Sequence, residues 1–132
     1  MPKYIAMDLG LKRIGLAYSP DGSLATPLPA VMRKNRNQAA SEVQKALNEW
    51  QAEVFVVGIP MSDPTTQAEM RRRVAHFLGL LDFEGEVCFQ DEDDSSLEAE
   101  EMMKGDIRYK RDGRIDSLAA KIILERYLSS LK

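Results

Sequence analysis

The segment Tyr4-Ile5-Ala6-Met7-Asp8-Leu9-Gly10-Leu11-Lys12-Arg13-Ile14-Gly15-Leu16-Ala17-Tyr18 decides how this chain is read. Tyr4 to Asp8 is apolar up to an acid at its end and reads as a strand. Ile14 to Tyr18 reads as its neighbour across a loop holding Gly10, Lys12 and Arg13. Pro20-Asp21-Gly22-Ser23 is turn chemistry, so a third short strand is expected around Leu24-Ala25, antiparallel, before a loop carrying Pro27 and Pro29.

Beyond this start the period changes. From about Asn37 to Gln51, Ala40, Val43, Leu47 and Trp50 fall on one helical face. Val54-Phe55-Val56-Val57, closed by Gly58 and Pro60, is the continuous apolar run of a strand covered on both faces, hence parallel. Thr66-Gln67-Ala68-Glu69 reads as a capping box opening a helix with Met70, Val74, Phe77, Leu78 and Leu81 inward. Val87-Cys88-Phe89 is a last strand, Ser95 to Glu98 another capping box opening a helix through Met103, and Ile115 to Leu131 a helix buried through Leu118, Ala119, Ile122 and Ile123. Three strands, helix, strand, helix, strand and two helices make an α/β chain with a five-stranded mixed sheet flanked by helices.

At 132 residues, 44% hydrophobic and 30% charged, the chain is expected to form one domain over residues 1–132. No apolar run approaches the ~20 residues of a membrane span, and Met1-Pro2-Lys3-Tyr4 lacks the apolar stretch of a signal peptide, so the expected compartment is the cytoplasm, with no membrane partner. The single cysteine, Cys88, has no internal disulfide partner and is expected to be a buried thiol without a role. A net charge of −3 argues against gripping nucleic acid by bulk electrostatics. The distribution is polarised: Asp82 to Glu101 holds ten acids and no bases, whereas Lys104 to Arg114 holds five bases and two acids.

Asp8 ends an apolar strand, where a lone carboxylate is costly to desolvate unless a cation or several donors compensate it. Asp91-Glu92 follows another strand, and ligands of open α/β sheets bind beyond such strand ends. Asp116 opens the last helix, which must pack on the sheet through the residues after it. Three converging carboxylates without a histidine or cysteine cluster suit Mg²⁺ or Mn²⁺ better than zinc, and such ions promote phosphodiester hydrolysis without a protein nucleophile. Each acid also has a structural reading: Asp116 as a helix N-cap, Glu92 as part of an acidic turn, Asp8 as a residue bonded to the Gly10 loop.

The decamer Asp8-Leu9-Gly10-Leu11-Lys12-Arg13-Ile14-Gly15-Leu16-Ala17 resembles the opening signature of the YqgF family, also called RuvX. Val57-Gly58-Ile59-Pro60 resembles the family's Val-Gly-Leu-Pro, Asp91-Glu92 its Asp-Glu-Arg motif, and Asp116 to Leu124 its terminal-helix signature. The resemblance implies a three-layer RNase H-like fold and a metal-dependent nuclease linked to maturation of the small-subunit ribosomal RNA precursor. Asp8, Glu92 and Asp116 match its catalytic, metal-holding acids, with Mg²⁺ or Mn²⁺ as cofactor. The substrates implied are structured RNA or branched DNA, the latter from the family's older description as Holliday junction resolvases, bound by a monomer or weak homodimer. Where the family has arginine after Asp-Glu, this chain has Asp93, which replaces an expected phosphate contact by negative charge and raises the alternative of a catalytically weakened RNA-binding assembly factor. Asp8-x-Gly10 followed by Gly15 also resembles the phosphate hairpin of actin-like ATPases, which close two such domains around a nucleotide.

For nucleic-acid contacts the sequence offers Lys12 and Arg13 beside Asp8. It also offers Arg108, Tyr109, Lys110, Arg111 and Arg114 in the segment leading into Asp116, where bases can hold phosphates and Tyr109 can stack. Arg71-Arg72-Arg73 falls on a helix with part of its exposed face expected away from the strand ends, and His76, between apolar helix positions, is expected to be structural.

Overall fold

The computed structural model describes residues 2–103 and 113–132; the expected contacts of Arg108, Tyr109, Lys110 and Arg111 lie outside the described residues. Nine elements are described: β1 (Tyr4–Leu9), β2 (Arg13–Ser19), β3 (Thr26–Met32), α1 (Arg36–Glu49), β4 (Val54–Ile59), α2 (Pro64–Leu78), β5 (Glu86–Asp91), α3 (Ser95–Met103) and α4 (Gly113–Ser130). The five strands form one mixed sheet in the order β3-β2-β1-β4-β5. β1 pairs antiparallel with β2 and parallel with β4; β5 extends the parallel half.

The alternation of β1 distributes the core. Ile5, Met7 and Leu9 face one side, packed with Ala39, Ala40, Val43 and Leu47 of α1 and Val74 and Phe77 of α2. Tyr4 and Ala6 face the other, with Ala120, Ile123, Leu124 and Leu128 of α4, while Ala99 of α3 packs on Ile115, Ala119 and Ile122 of α4. Helices thus cover both faces of the sheet, which explains why β1 and β4 are apolar almost throughout.

Two local readings are corrected. The third strand is Thr26–Met32 and includes Pro27 and Pro29 instead of preceding them. β3 is an edge strand, where an absent N–H costs no ladder bond if it faces outward, so the prolines mark the edge and block further pairing. The second helix starts earlier than the Thr66 capping box implied: Asp63 is its N-cap, accepting from the Thr65 N–H at 3.2 Å, with Pro64 in its first turn. Thr66 donates its hydroxyl to the same carboxylate at 2.7 Å.

How closely α4 approaches the sheet is set by a glycine. Gly15 stands opposite Asp8 in the β1–β2 ladder, and a methyl group there would overlap the backbone carbonyl of Asp116 and lie 2.8 Å from the Ser117 nitrogen. The Ser117 hydroxyl accepts from the Leu16 N–H at 3.4 Å where the ladder to β3 shifts register. Backbone meets backbone here, so no side chain can yield. Gly15→Ala is expected to destabilise the fold by at least ~2 kcal/mol, the scale of overpacking, read as a lower urea midpoint at unchanged m-value. An unchanged midpoint would mean that α4 does not rest on β2.

Candidate active site

Asp8, near the carboxyl end of β1, lies in a row of the sheet flanked by glycines. Its β2 partner is Gly15, and the parallel register that pairs Met7 with Val57 brings Gly58 beside it on β4. Side chains at these positions face α4. With no Cβ on either side of Asp8, the row is a trough whose walls are lent by other elements. α4 lends the backbone of Asp116 over Gly15, as described above. From β5 comes Glu92: a Cβ at Gly58 would lie 3.1 Å from both the Glu92 Cβ and Oε2, and 2.6 Å from Ile123 Cδ1 of α4.

The position of Glu92 follows from the strand it ends. β4 and β5 are in register through Ile59–Asp91, and the Glu92 N–H adds one more ladder bond, to the Ile59 carbonyl, at 2.9 Å. The Ser95 N–H then closes a turn onto the Glu92 carbonyl at 3.0 Å, through Asp94 at φ 64, a left-handed conformation that aspartate tolerates better than most residues. Arg126 of α4 clasps the backbone on both sides of Glu92, donating to the carbonyls of Asp91 at 3.2 Å and Asp93 at 2.9 Å, while its other nitrogen meets Glu98 at 2.8 Å.

Electrostatically the trough is strained by its own acids. Glu92 is pushed up to about 8, first by burial, then by the charge of Asp8 and a hydrogen bond with it, and further by Asp93 and Asp91. Two carboxyl groups in contact cannot both ionise cheaply without a cation, so near neutral pH they hold a proton between them. Asp116 is buried at the start of α4, and its Oδ2 accepts from Arg13 Nε at 2.7 Å. Among the described residues no three acids stand close enough together to hold a metal ion jointly. The close pair is Asp8 and Glu92, with Asp116 turned towards Arg13 at the other wall.

The remaining sequence-derived candidates divide. Arg13 is committed to Asp116, while Lys12 is exposed in the loop after Asp8 and Arg114 is exposed at the start of α4. Asp93 turns to the loop after β4, where its Oδ2 accepts from the N–H groups of Met61 at 3.2 Å and Ser62 at 2.9 Å. Desolvation opposes its ionisation, but these backbone donors outweigh it and lower its pKa. The acid in place of the family's arginine therefore ties β4 to β5. Cys88 is only partly buried; desolvation raises its thiol pKa, and Sγ lies 3.4 Å from the Tyr127 hydroxyl. His76 is exposed, with Nε2 3.3 Å from Arg36 Nη1, and does not belong to the core. Arg72 and Arg73, expected away from the strand ends, line a cavity with Leu9 and Leu11 just past β1. Sequence reasoning also missed Arg126, since nothing local in the terminal helix signals a bond to a strand end 35 residues earlier.

The family model described as "RuvX: Holliday junction resolvase" matches residues 2–130. The chain belongs to the RuvX family. Among its relatives, a protein of Sulfurimonas denitrificans named "Putative pre-16S rRNA nuclease" is 64% identical over 126 residues, 96% of each chain. Proteins with the same name from Sulfurovum sp. and Campylobacter lari are 53% and 48% identical, covering 96% and 95% of this chain and 98% and 96% of their own. Two solved structures share the fold. Thermus thermophilus RuvC in complex with a Holliday junction substrate has a TM-score of 0.55 at 15% identity, over 99% of this chain and 96% of that one. The fowlpox virus Holliday junction resolvase has a TM-score of 0.56 at 13% identity, over 97% and 99%. This RuvX member has the α/β architecture of those resolvases, with five strands between helices.

Two outcomes follow from the site. Ionising Glu92 favours the unfolded chain from its ordinary value of 4.5 upward, a cost fully developed above about pH 8. In metal-free buffer Glu92→Gln is therefore expected to match wild type in melting temperature near pH 5 and to exceed it by roughly 4 °C or more at pH 8. A difference independent of pH would show that Glu92 is not held against Asp8. Asp93→Ala is expected to speed amide hydrogen exchange at Met61 and Ser62 while leaving the exchange of β1 unchanged.

Proposed function

We propose that this chain is a metal-dependent nuclease, acting as one domain over residues 1–132 on the precursor of small-subunit ribosomal RNA in the cytoplasm, as a monomer or weak homodimer. The observation that carries the reading is the partly buried contact of the Asp8 and Glu92 carboxyl groups beside Gly58, where burial and the charge of Asp8 push Glu92 up to about 8. The relatives' name supports RNA as substrate, and the absence, among the described residues, of any helix long and apolar enough to cross a membrane is compatible with it.

The donor set fits Mg²⁺ or Mn²⁺: Asp8 and Glu92 offer hard oxygens, and the repulsion between them that raises Glu92 would be relieved by a cation at the pair. When bound, such an ion supplies Lewis-acid polarisation of the phosphodiester and a more acidic water. The chain's own groups do the rest. Asp8 and Glu92 would hold the ion, and their oxygens must be deprotonated to do so. Arg126 and the Ile59 carbonyl fix the backbone of Glu92, so that its carboxylate stays over Gly58. Arg13 holds Asp116, the third acid of the family's signature, at the far wall. Lys12 and Arg114, both exposed, balance the charge of the polynucleotide together with Arg108, Lys110 and Arg111, while Tyr109 stacks on an unpaired base. Water adds to phosphorus as one ester P–O bond breaks, leaving a phosphomonoester and a hydroxyl terminus.

Structured RNA, single-stranded RNA and a four-way DNA junction, each incubated with the protein and Mg²⁺ or Mn²⁺, test the reading. Cleavage of structured RNA is expected, with loss of more than about a hundredfold in Asp8→Asn and Glu92→Gln, beyond the 10–100-fold typical of residues that only support a metal ligand. Cleavage of the junction alone would assign the resolvase activity in its place. RNA binding without cleavage under either metal would make the chain an assembly factor.

A further inference from the structure

On the face of the sheet opposite the acids, four arginines and a histidine gather around one cavity. Arg33 follows β3, Arg36 opens α1, and Arg72, Arg73 and His76 stand on α2, around a space of about 460 Å³. No acid lines it, and among the described residues none of the four arginines pairs with a carboxylate. In a chain with a net charge of −3 this is a concentration of positive charge with no carboxylate partner among the described residues. Its members are close enough to disturb one another. Arg33 is lowered by desolvation and then by the charges of Arg73 and Arg36, and Arg36 lies 3.3 Å from His76. Arg36 also occupies the first turn of α1, which contains no acid, so a cation stands at the positive end of a helix dipole. Each of these costs is relieved by one kind of ligand, an anion.

The cavity begins where the acid trough ends. Its wall includes Leu9, the residue after Asp8 on the opposite face, and Leu11, 77% exposed at its rim. Arg33 ties the two sites together, donating to the Gly10 carbonyl at 2.7 Å and lying over the Phe77 ring at 5.7 Å. Only the turn of Gly10 to Lys12 separates them.

We infer that this arginine cavity is a second nucleic-acid contact, holding backbone phosphates of the strand that runs past the Asp8–Glu92 trough over the Gly10–Lys12 turn. Several separate guanidinium groups around an open space suit consecutive phosphodiesters better than one small anion, because Arg36 and the Arg72–Arg73 pair approach from different helices. That the anion belongs to a polynucleotide rests on the nuclease reading above; that the cavity takes phosphate does not.

The test measures binding of a fluorescein-labelled single-stranded RNA to the full chain in EDTA, where no cleavage occurs, over a range of salt. In Arg36→Ala/Arg72→Ala/Arg73→Ala, three exposed charges are removed, and the slope of log K against log salt is expected to fall by roughly two units, at about 0.7 per phosphate contact. The triple lysine variant should recover most of that slope. An unchanged slope in the alanine variant would overturn the inference and leave the nuclease proposal standing. Titration with inorganic phosphate and pyrophosphate distinguishes the sources: saturation of the cavity by either, with no competition from RNA, would assign it to a small anion and overturn the polynucleotide contact. If wild type binds RNA with this slope but cleaves none of the panel substrates, the cavity stands and the nuclease reading falls. If wild type binds no RNA, both fall.

Discussion

Everything at this site depends on how closely α4 lies against the sheet, and that distance is set by the absence of two side chains. Gly15 lets the Asp116 backbone rest on β2; Gly58 leaves room for Ile123 of α4 and for the carboxylate of Glu92. Asp8 stands between them. Had Gly15 a Cβ, α4 would ride higher and Asp116 would leave the row; a Cβ at Gly58 would crowd the Ile123 side chain and the carboxylate of Glu92. The buried face of α4, with Ala120, Ile123 and Leu124, holds the helix to that line, so packing energy spent along the helix keeps acids together at its start.

The second constraint is charge. A carboxyl pair held in contact and largely out of water favours protonation, and the fold tolerates it because the surroundings are rigid: the ladder bond from Glu92 to Ile59, the clasp of Arg126 and the tie from Asp93 to the Met61–Ser62 backbone. Arg13, placed on β2 one turn away, satisfies Asp116 and keeps a third acid from adding its charge to the pair. This repulsion is what the proposed cation would relieve, and the arginine cavity across the sheet gathers the opposite charge in the same manner. The two faces thus gather opposite charges at one end of the sheet, separated by the Gly10–Lys12 turn.

Much of this was legible in the sequence because it is written in local patterns. The apolar run ending in Asp8, the Val54–Val57 run closed by Gly58 and the period of α1 each specify an element and the side it buries. Sequence logic failed where a rule had competitors. Pro27 and Pro29 read as loop residues, yet an edge strand accepts them; Thr66 to Glu69 reads as a cap, yet Asp63-Pro64 provides a better one three residues earlier. What no local pattern contains is long-range geometry. The Arg13–Asp116 pair, the reach of Arg126 to the backbone around Glu92 and the meeting of Arg33, Arg36, Arg72 and Arg73 all depend on the order of strands across the sheet and on which helix covers which face.

If Asp8 and Glu92 form one cation site as proposed, a metal ion entering it displaces a proton. Titration calorimetry of Mn²⁺ at neutral pH, repeated in two buffers of different ionisation enthalpy, counts the protons released on binding. Release of about one proton per ion is expected in the wild type and a much weaker, proton-silent titration in Glu92→Gln. Tight binding without proton release, or binding that survives in Glu92→Gln, would contradict it.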